Sequence, residues 1–346
     1  MRIIIDAMGG DNAPAEIVRG AALAVAERSV DVTLVGREEE VRRCLAACGA
    51  AEEKRIRVVH APDVIDMHDD PSTAVRRKPA SSMAVALDLL KDGAGDAMIS
   101  AGNTGALLTG ATLRIRRIPG IRRAAFAPVL PNGGRGTLLI DCGANVECTP
   151  EYLLQFAFMG SFYARSVLGI PTPRVGLLSN GTEETKGTEL CRAAYALLRA
   201  AGDAGRIQFI GNVEGSDALS GRTDVLVADG YTGNVLLKAT EGAAKFLMKS
   251  LKAALTATPK AKLGALLVKG ELTGLKKMMD PSEVGGTPFL GIRKCVVKAH
   301  GNSDAKAISG AVRQAVTFVR AGVTEDIARN IEYMKIHTSE GGEGNE

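Results

Sequence analysis

The chain has 346 residues with 40 glycines, no tryptophan and only 4% aromatic residues, and its 43 basic and 39 acidic residues leave a net charge of +4. A core of Ile, Leu, Val, Ala and Met at this length suits layered α/β packing and disfavours a β-sandwich or an aromatic groove for single-stranded nucleic acid. The near balance of charge gives no basic footprint for nucleic acid, and no apolar run is long enough to span a bilayer, so any membrane contact is expected to be peripheral.

In chain order, residues 2–5 read as a strand that runs into the turn DAMGGDNAP and a helix over 16–29. Strands at 32–35 and 56–59 flank a helix at 38–47. The polar stretch HDDPSTAVRRKPASSM leads to a helix at 83–91, a strand at 97–99 and a helix at 105–114. Residues 124–130 and 137–140 read as a hairpin joined by PNGGRG, followed by a long helix at 149–168. Strands at 175–178, 207–210 and 225–228 resume the alternation before a helix at 235–255 that breaks near Pro259.

The strand CVVKA and one more helix within 301–321 precede a polar, Glu/Gly-rich tail at 338–346, expected to be disordered. Such alternation predicts a single α/β catalytic domain over 1–337: three layers around a mixed, largely parallel sheet. Residues 251–279 stand apart, with leucines and lysines but no strand. Two helices meeting there would put Leu263, Leu266, Leu267 and Val268 at a tip flanked by Lys260, Lys262 and Lys269. That pattern suits an anionic membrane surface, and equally a contact with a sister subunit or the parent domain. The six cysteines include no CxxC pair, and the N-terminus enters a strand without signal-peptide organisation; reduced thiols in a cytoplasmic protein are expected.

Six apolar runs end in small polar residues and glycine: IIIDAMGGD (3–11), AMISAGNTGAL (97–107), LLIDCGAN (138–145), VGLLSNGTEETKG (175–187), IQFIGNVEG (207–215) and VLVADGYTGN (225–234). Buried strands with glycine-rich loops at their carboxyl ends are where open α/β sheets bind ligands. Asn, Ser, Thr and backbone N–H groups dominate these loops, which favours an anionic guest. In SAGNTGAL, Ser100, Gly102, Asn103, Thr104 and Gly105 form a strand-to-helix junction with the logic of a phosphate cradle, although no Walker or GxGxxG pattern is present. Asn103 and Thr104 would alternatively serve as helix caps.

Lys186, with Asn180 and Thr182, would be an electrostatic partner for phosphate or an oxyanion, or else a solvent-facing partner of Glu183 or Glu184. Asp229 and Asn234 would orient and donate, or form an Asx-turn and cap. His300 is the most site-like of four scattered histidines, and no zinc pattern is visible. Adjacent aspartates in HDDPS need not converge on magnesium, so metal-independence is expected. Cys142 is placed like a nucleophile but has no committed histidine. The alternative needs no covalent enzyme intermediate, because bound phosphate itself attacks an activated acyl group.

In their order and spacing, DAMGGD, KPASSM, SAGNTGAL, DCGAN, SNGTEETKG, GNVEG, DGYTGN and GGTPFLG resemble the bacterial acyl-acyl-carrier-protein:phosphate acyltransferases, the PlsX family, across residues 1–334. The resemblance implies reversible transfer of a long fatty acyl chain from acyl carrier protein to inorganic phosphate. Its product, acyl phosphate, would feed a membrane glycerol-3-phosphate acyltransferase in phosphatidic acid synthesis. It further implies a fold like isopropylmalate and isocitrate dehydrogenases and phosphate acetyltransferases, a homodimer, no cofactor, and a cytoplasmic enzyme peripheral to the inner face of the membrane through its helical pair.

Carried onto this chain, it makes Asn103 and Thr104 phosphate-binding and Lys186 and Asn234 catalytic donors, with Asp229 orienting them and Asn180 and Asn212 near the reacting centre. Lys78, Ser81 and Ser82 would contribute from a second loop, Asn145 and Thr182 would touch substrate, and Asp6, Gly9, Gly10 and Asp11 would shape the first loop. The rival readings are a coenzyme A-dependent phosphate acetyl- or butyryltransferase, a decarboxylating dehydrogenase, and a membrane-associated scaffold. The last leaves the six loops without a purpose.

Overall fold

The apolar runs form parallel strands whose carboxyl ends share an edge. In the computed structural model, which describes residues 1–278 and 285–335, the first half of the chain gives β1 (Arg2–Asp6), α1 (Ala15–Glu27), β2 (Asp31–Gly36), α2 (Glu38–Ala47) and β3 (Ile56–His60). Next come α3 (Ala74–Arg77), α4 (Ser82–Lys91), β4 (Ala97–Ser100) and α5 (Thr104–Gly110), which continues into a π-helical turn at Ala111–Ile115. After β5 (Ala125–Phe126), β6 (Val129–Leu130) and β7 (Thr137–Ile140) follow α6 (Pro150–Ser166), β8 (Arg174–Ser179), α7 (Glu189–Asp203), β9 (Gln208–Glu214) and β10 (Val225–Val227). Three consecutive helices, α8 (Gly230–Thr256), α9 (Pro259–Leu267) and α10 (Lys269–Met278), precede β11 (Gly286–Leu290), β12 (Cys295–Ala299), α11 (Ala305–Arg320) and α12 (Val323–Arg329).

These strands divide between two sheets. The larger has the order β3-β2-β1-β4-β12-β11-β5 and the smaller β6-β7-β10-β8-β9. In the larger sheet β3, β2, β1, β4 and β12 are parallel and β11 is antiparallel to both neighbours. In the smaller one only β6 is antiparallel. The hairpin between β6 and β7 forms as expected, but the single strand predicted at 124–130 is two. Phe126 pairs with Phe289 in the larger sheet, and Val129 pairs with Leu138 in the smaller. Pro128 stands between them. It has no N–H for a ladder, and its carbonyl accepts from Leu139 at 2.9 Å.

Helices cover both faces of the larger sheet, which is why its strands read as continuous apolar runs. The side packed by α1, α2 and α11 shares one buried cluster with the face of the smaller sheet under α6 and α7. The opposite side packs Ile4, Met98 and Val296 against Met83, Leu87 and Leu90 of α4. Each such fully buried side chain contributes about 1.5–3 kcal/mol. The second face of the smaller sheet is thinner: Leu139, Leu178, Val213 and Leu226 are met by Leu236 and Leu237 of α8.

Beyond that contact α8 leaves the body, and α9 and α10 continue as a helical pair in which no described side chain is buried. Val268 breaks the pair. There Leu263, Leu266, Leu267 and Val268 are 62, 65, 78 and 43% exposed. No helix among the described residues is long and apolar enough to cross a membrane. The predicted polar tail at 338–346 and the end of the predicted protrusion at 279 lie outside the described residues.

Candidate active site

Three loops of the larger sheet pack backbone against backbone at its carboxyl edge. Asp6, Ser100 and Gly9 form the tightest contact. The Ser100 hydroxyl donates to Asp6 Oδ2 at 2.7 Å and accepts from the Gly102 N–H at 3.1 Å. A Cβ on Gly9 would lie 2.6 Å from that carboxylate and 2.7 Å from the Gly102 nitrogen, so only glycine fits. The 299–303 loop joins the first through the Asp11 N–H, which donates to Gly301 O at 2.8 Å. Burial pushes the Asp6 carboxyl above its ordinary range, opposed by hydrogen bonds from Ser82, Ser100 and the Met8 and Gly9 amides.

On the smaller sheet, DCGAN wraps around one carboxylate. Asp141 is fully buried and accepts from the amides of Phe126, Cys142, Ala144 and Asn145 and from the Asn145 side chain. Helix α8 starts against this loop: Gly230 N–H donates to Asn145 O at 2.8 Å, and a Cβ on Gly233 would lie 2.0 Å from Asp141 O. Asn234 sits beside Gly143 with its side chain exposed.

Several predicted binders are engaged by the protein itself. Asn103 is buried; its carbonyl oxygen caps α5 at Ala106, and its amide reaches the carbonyls of Asp66, Met67 and Asp69. Asp229 caps α8 through both Thr232 donors. Ser81 caps α4, Ser82 is buried against Asp6, and Lys78 holds Val64 O and Asp69. Asn145 spends its amide on Ala124 O and Asp141. These residues shape the loops, and Thr104, the first residue of α5, is half-buried. Gly105 packs on Pro71, where a Cβ would stand 2.7 Å away.

The loop 180–187 is braced by the Gly187 N–H donating to Asn180 and by the Asn212 amide donating to Glu183 O. Asn212 is buried with its own Oδ1 unpaired. Thr182 and Lys186 are exposed, and Lys186 has no ion pair among the described residues; Glu184 is taken by Tyr195 and Arg199. The adjacent aspartates diverge: Asp69 goes to Lys78 and the Asp66 amide, Asp70 to Ser72 and Thr73.

Four charged groups that the motifs did not single out gather around His300. Lys298 of β12 is buried, while Lys238 and Glu241, paired at 3.0 Å, and Lys245 project from α8. His300 lies within electrostatic reach of all four. Desolvation lowers its pKa, Glu241 opposes, and Lys238, Lys298 and Lys245 lower it further. Lys298 was detectable in the sequence as the one charge in CVVKA. The α8 groups were not, since only the fold turns that helix toward β12. A groove of about 570 Å³ lies elsewhere, at the amino ends of β8 and β9, lined by Arg165, Arg199, Arg206 and Phe209; it contains none of the predicted residues.

Comparison with known proteins decides the family. The model of a fatty acid synthesis protein family matches residues 1–326. The phosphate acyltransferase of Pelotomaculum thermopropionicum is 47% identical over 336 residues, 97% of this chain and 96% of the relative. That of Geobacillus thermodenitrificans is 49% identical over 334 residues, 96% of this chain and 99% of the relative.

The chain belongs to the bacterial phosphate acyltransferases, the PlsX family. It is therefore an acyltransferase of lipid synthesis. Solved structures support the fold alone. A phosphotransacetylase from Streptococcus pyogenes superposes with a TM-score of 0.61 at 19% identity, covering 94% of both chains. A 4-hydroxythreonine-4-phosphate dehydrogenase from Klebsiella pneumoniae gives 0.53 at 15% identity, covering 92% of this chain and 98% of the other.

For a phosphate acyltransferase, Cys142 is placed where a nucleophile would stand, yet its surroundings hold the thiol protonated. Its Sγ donates to Gly233 O at 3.3 Å, and burial, with Asp141 nearby, drives its pKa well above the ordinary thiol range. Cys142→Ala is expected to keep turnover within about threefold of wild type in steady-state assays. A loss on the order of 10³ or more, typical of removing a covalent nucleophile, would restore the thiol to the chemistry.

Proposed function

We propose that this protein transfers a long-chain fatty acyl group reversibly from acyl carrier protein to inorganic phosphate, by direct attack of phosphate on the thioester. The observation that carries the reading is the buried, hydrogen-bonded Cys142 thiol. With no thiolate at that strand end, the phosphate of a phosphate acyltransferase is itself the nucleophile. A phosphate oxygen forms a bond to the carbonyl carbon, the tetrahedral oxyanion collapses, and the carbon–sulfur bond breaks. The thiolate leaves and takes a proton from solvent. It needs little acid assistance, so the protein's work is to position phosphate and stabilise the oxyanion.

In this reading Thr104 and the first amides of α5 receive phosphate, with Ser100, Gly102 and Asn103 setting the loop. Lys186 and Asn234 donate to the developing oxyanion; the Asp229 cap fixes the start of the helix that carries Asn234. His300 faces the same space as a neutral imidazole. Acyl phosphate would then pass to a membrane glycerol-3-phosphate acyltransferase for phosphatidic acid synthesis.

The helical pair supports peripheral contact with the anionic inner face of the cell membrane. Between residues 230 and 278 there are nine lysines against two glutamates, and the exposed leucines sit at the turn. A homodimer is supported by α8, where Tyr231, Val235 and Phe246 recur on one helical face and are 65, 52 and 68% exposed.

The donor test uses purified protein, phosphate and either palmitoyl-acyl carrier protein or short- and long-chain acyl-coenzyme A. Acyl phosphate is expected from the carrier-bound chain; formation only from a short-chain coenzyme A thioester would favour the phosphate acetyltransferase alternative and sink this one. Lys186→Ala should lower kcat by about 10²–10³, the scale of one lost oxyanion donor, with an unchanged melting temperature. Wild-type turnover would remove Lys186 from the site. Replacing Leu266 and Leu267 with Glu should release the protein from vesicles containing phosphatidylglycerol while sparing turnover; unaltered sedimentation with vesicles would refute the membrane assignment of the tip.

A further inference from the structure

Residues at the carboxyl ends of three neighbouring strands form a buried polar row: the last of β1 and β4 and the penultimate of β12. Lys298 on β12 is the register partner of Ser100 on β4, and Ser100 donates to Asp6 on β1. One pleat earlier, the same face carries Val296, Met98 and Ile4, all buried. The change from apolar to polar falls at the sheet edge, with Asp6, Ser100 and Lys298 only 2, 0 and 7% exposed.

The Lys298 ammonium donates to Ala101 O at 3.2 Å and to Ala299 O. Ala101 is the first residue of the loop after β4, and Gly102 next to it is tied back to Ser100. Lys298 thus grips SAGNTG where it leaves the sheet. An ammonium has three N–H groups, and the two carbonyls use two. Carbonyls carry only partial charge, so a buried ammonium still wants an anion. The full charges facing it are Asp6 and Asp11 from the first loop and Lys238 from α8. His300 stands at the end of its own strand, with Glu241 and Lys245 facing that ring from α8.

We propose that Lys298 is a positioning residue of the anion site, its ammonium holding the Ala101 carbonyl so that the 100–104 loop presents its amides and Thr104 to phosphate. This rests on the reading that phosphate binds at that loop. Desolvation brings the Lys298 pKa down to about 8, with Asp6 and Asp11 opposing and Lys238 assisting. The cation is therefore present at neutral pH and lost just above it. A bound dianion favours the ammonium, so deprotonation weakens phosphate binding as pH rises through that value.

The test measures phosphate KM in the wild type across about pH 7.5 to 9.5, where KM should climb by up to about tenfold per pH unit above the lysine pKa. Lys298→Met should raise phosphate KM by about tenfold or more at pH 7.5 and abolish the rise, as expected for losing a charge-assisted contact. Lys298→Arg, which keeps its charge throughout, should recover part of the affinity and show no rise in this range.

Phosphate-induced increase in melting temperature provides a readout independent of turnover. It should shrink in the Met variant. Equal shifts in wild type and variant, or a flat wild-type KM profile, overturn the inference. If the Met variant does not melt cooperatively, the wild-type profile and the Arg variant decide. If the wild type makes acyl phosphate from no thioester, the functional reading fails, and the melting comparison still tests Lys298.

Discussion

Parallel strands impose the constraint on which the rest of this molecule depends: every crossover helix must begin at the edge where the strands end. That edge collects helix N-termini, with their unpaired N–H groups and positive dipole ends, into a small volume. Among the described residues nine of the twelve strands take part, five in one sheet and four in the other. Unfilled amides there would favour an anion wherever it could approach. The protein restricts that choice by capping several of these helices itself, through Ser81, Asn103, Thr188, Asp229 and Asp304. What remains for a ligand is defined by which donors the caps leave free.

Much of this was legible in the sequence. Most apolar runs predicted strands within a residue or two, because buried parallel strands have no polar face to confuse the pattern, but the run at 207–210 continues as β9 to Glu214 and β11 was not foreseen. The glycine-rich loops marked the carboxyl ends of the strands. Asn103 and Asp229 were readable in two ways, and the structure shows both as caps; that use is compatible with shaping a site but differs from donating directly to a ligand. The division of 124–130 between two sheets was hidden, since two short strands flanking Pro128 have the composition of one. Partnership across the cleft was hidden more deeply. Lys238 and Glu241 look like ordinary helix-surface charges, and only tertiary packing sets them near His300 and Lys298.

The two loop systems illustrate different ways of building a precise backbone. Around Asp6 the contacts are between loops, and the absent side chain of Gly9 permits them. Around Asp141 a single carboxylate collects four amides and a side-chain donor from its own loop and from Phe126. Burying that carboxylate is costly, but each charge-assisted bond returns about 1.5–3 kcal/mol. The result is a rigid shelf under Asn234. A nucleophilic thiolate on the same shelf would add a second buried negative charge beside Asp141. Electrostatics therefore disfavours covalent catalysis by Cys142 and favours a chemistry in which the anion comes with the substrate.

Positive charge is apportioned by environment along the same lines. The arm from residue 230 to 278 carries nine lysines and two glutamates, whereas the whole chain nets only +4, so the remainder is slightly acidic. Exposed lysines act additively and weakly, at about 1 kcal/mol each beside an anionic surface, and salt screens them within roughly 10 Å. Many are needed, and their placement can be loose. At the cleft the balance reverses. One buried ammonium such as Lys298 meets far less screening, so its effect on a neighbouring anion is larger, but its desolvation must be offset by fixed partners. Asp6, Asp11 and the carbonyl of Ala101 are those partners. A second buried lysine without its own carboxylates would lose its proton rather than strengthen the site, and the other lysines within electrostatic reach of His300, Lys238 and Lys245, are exposed.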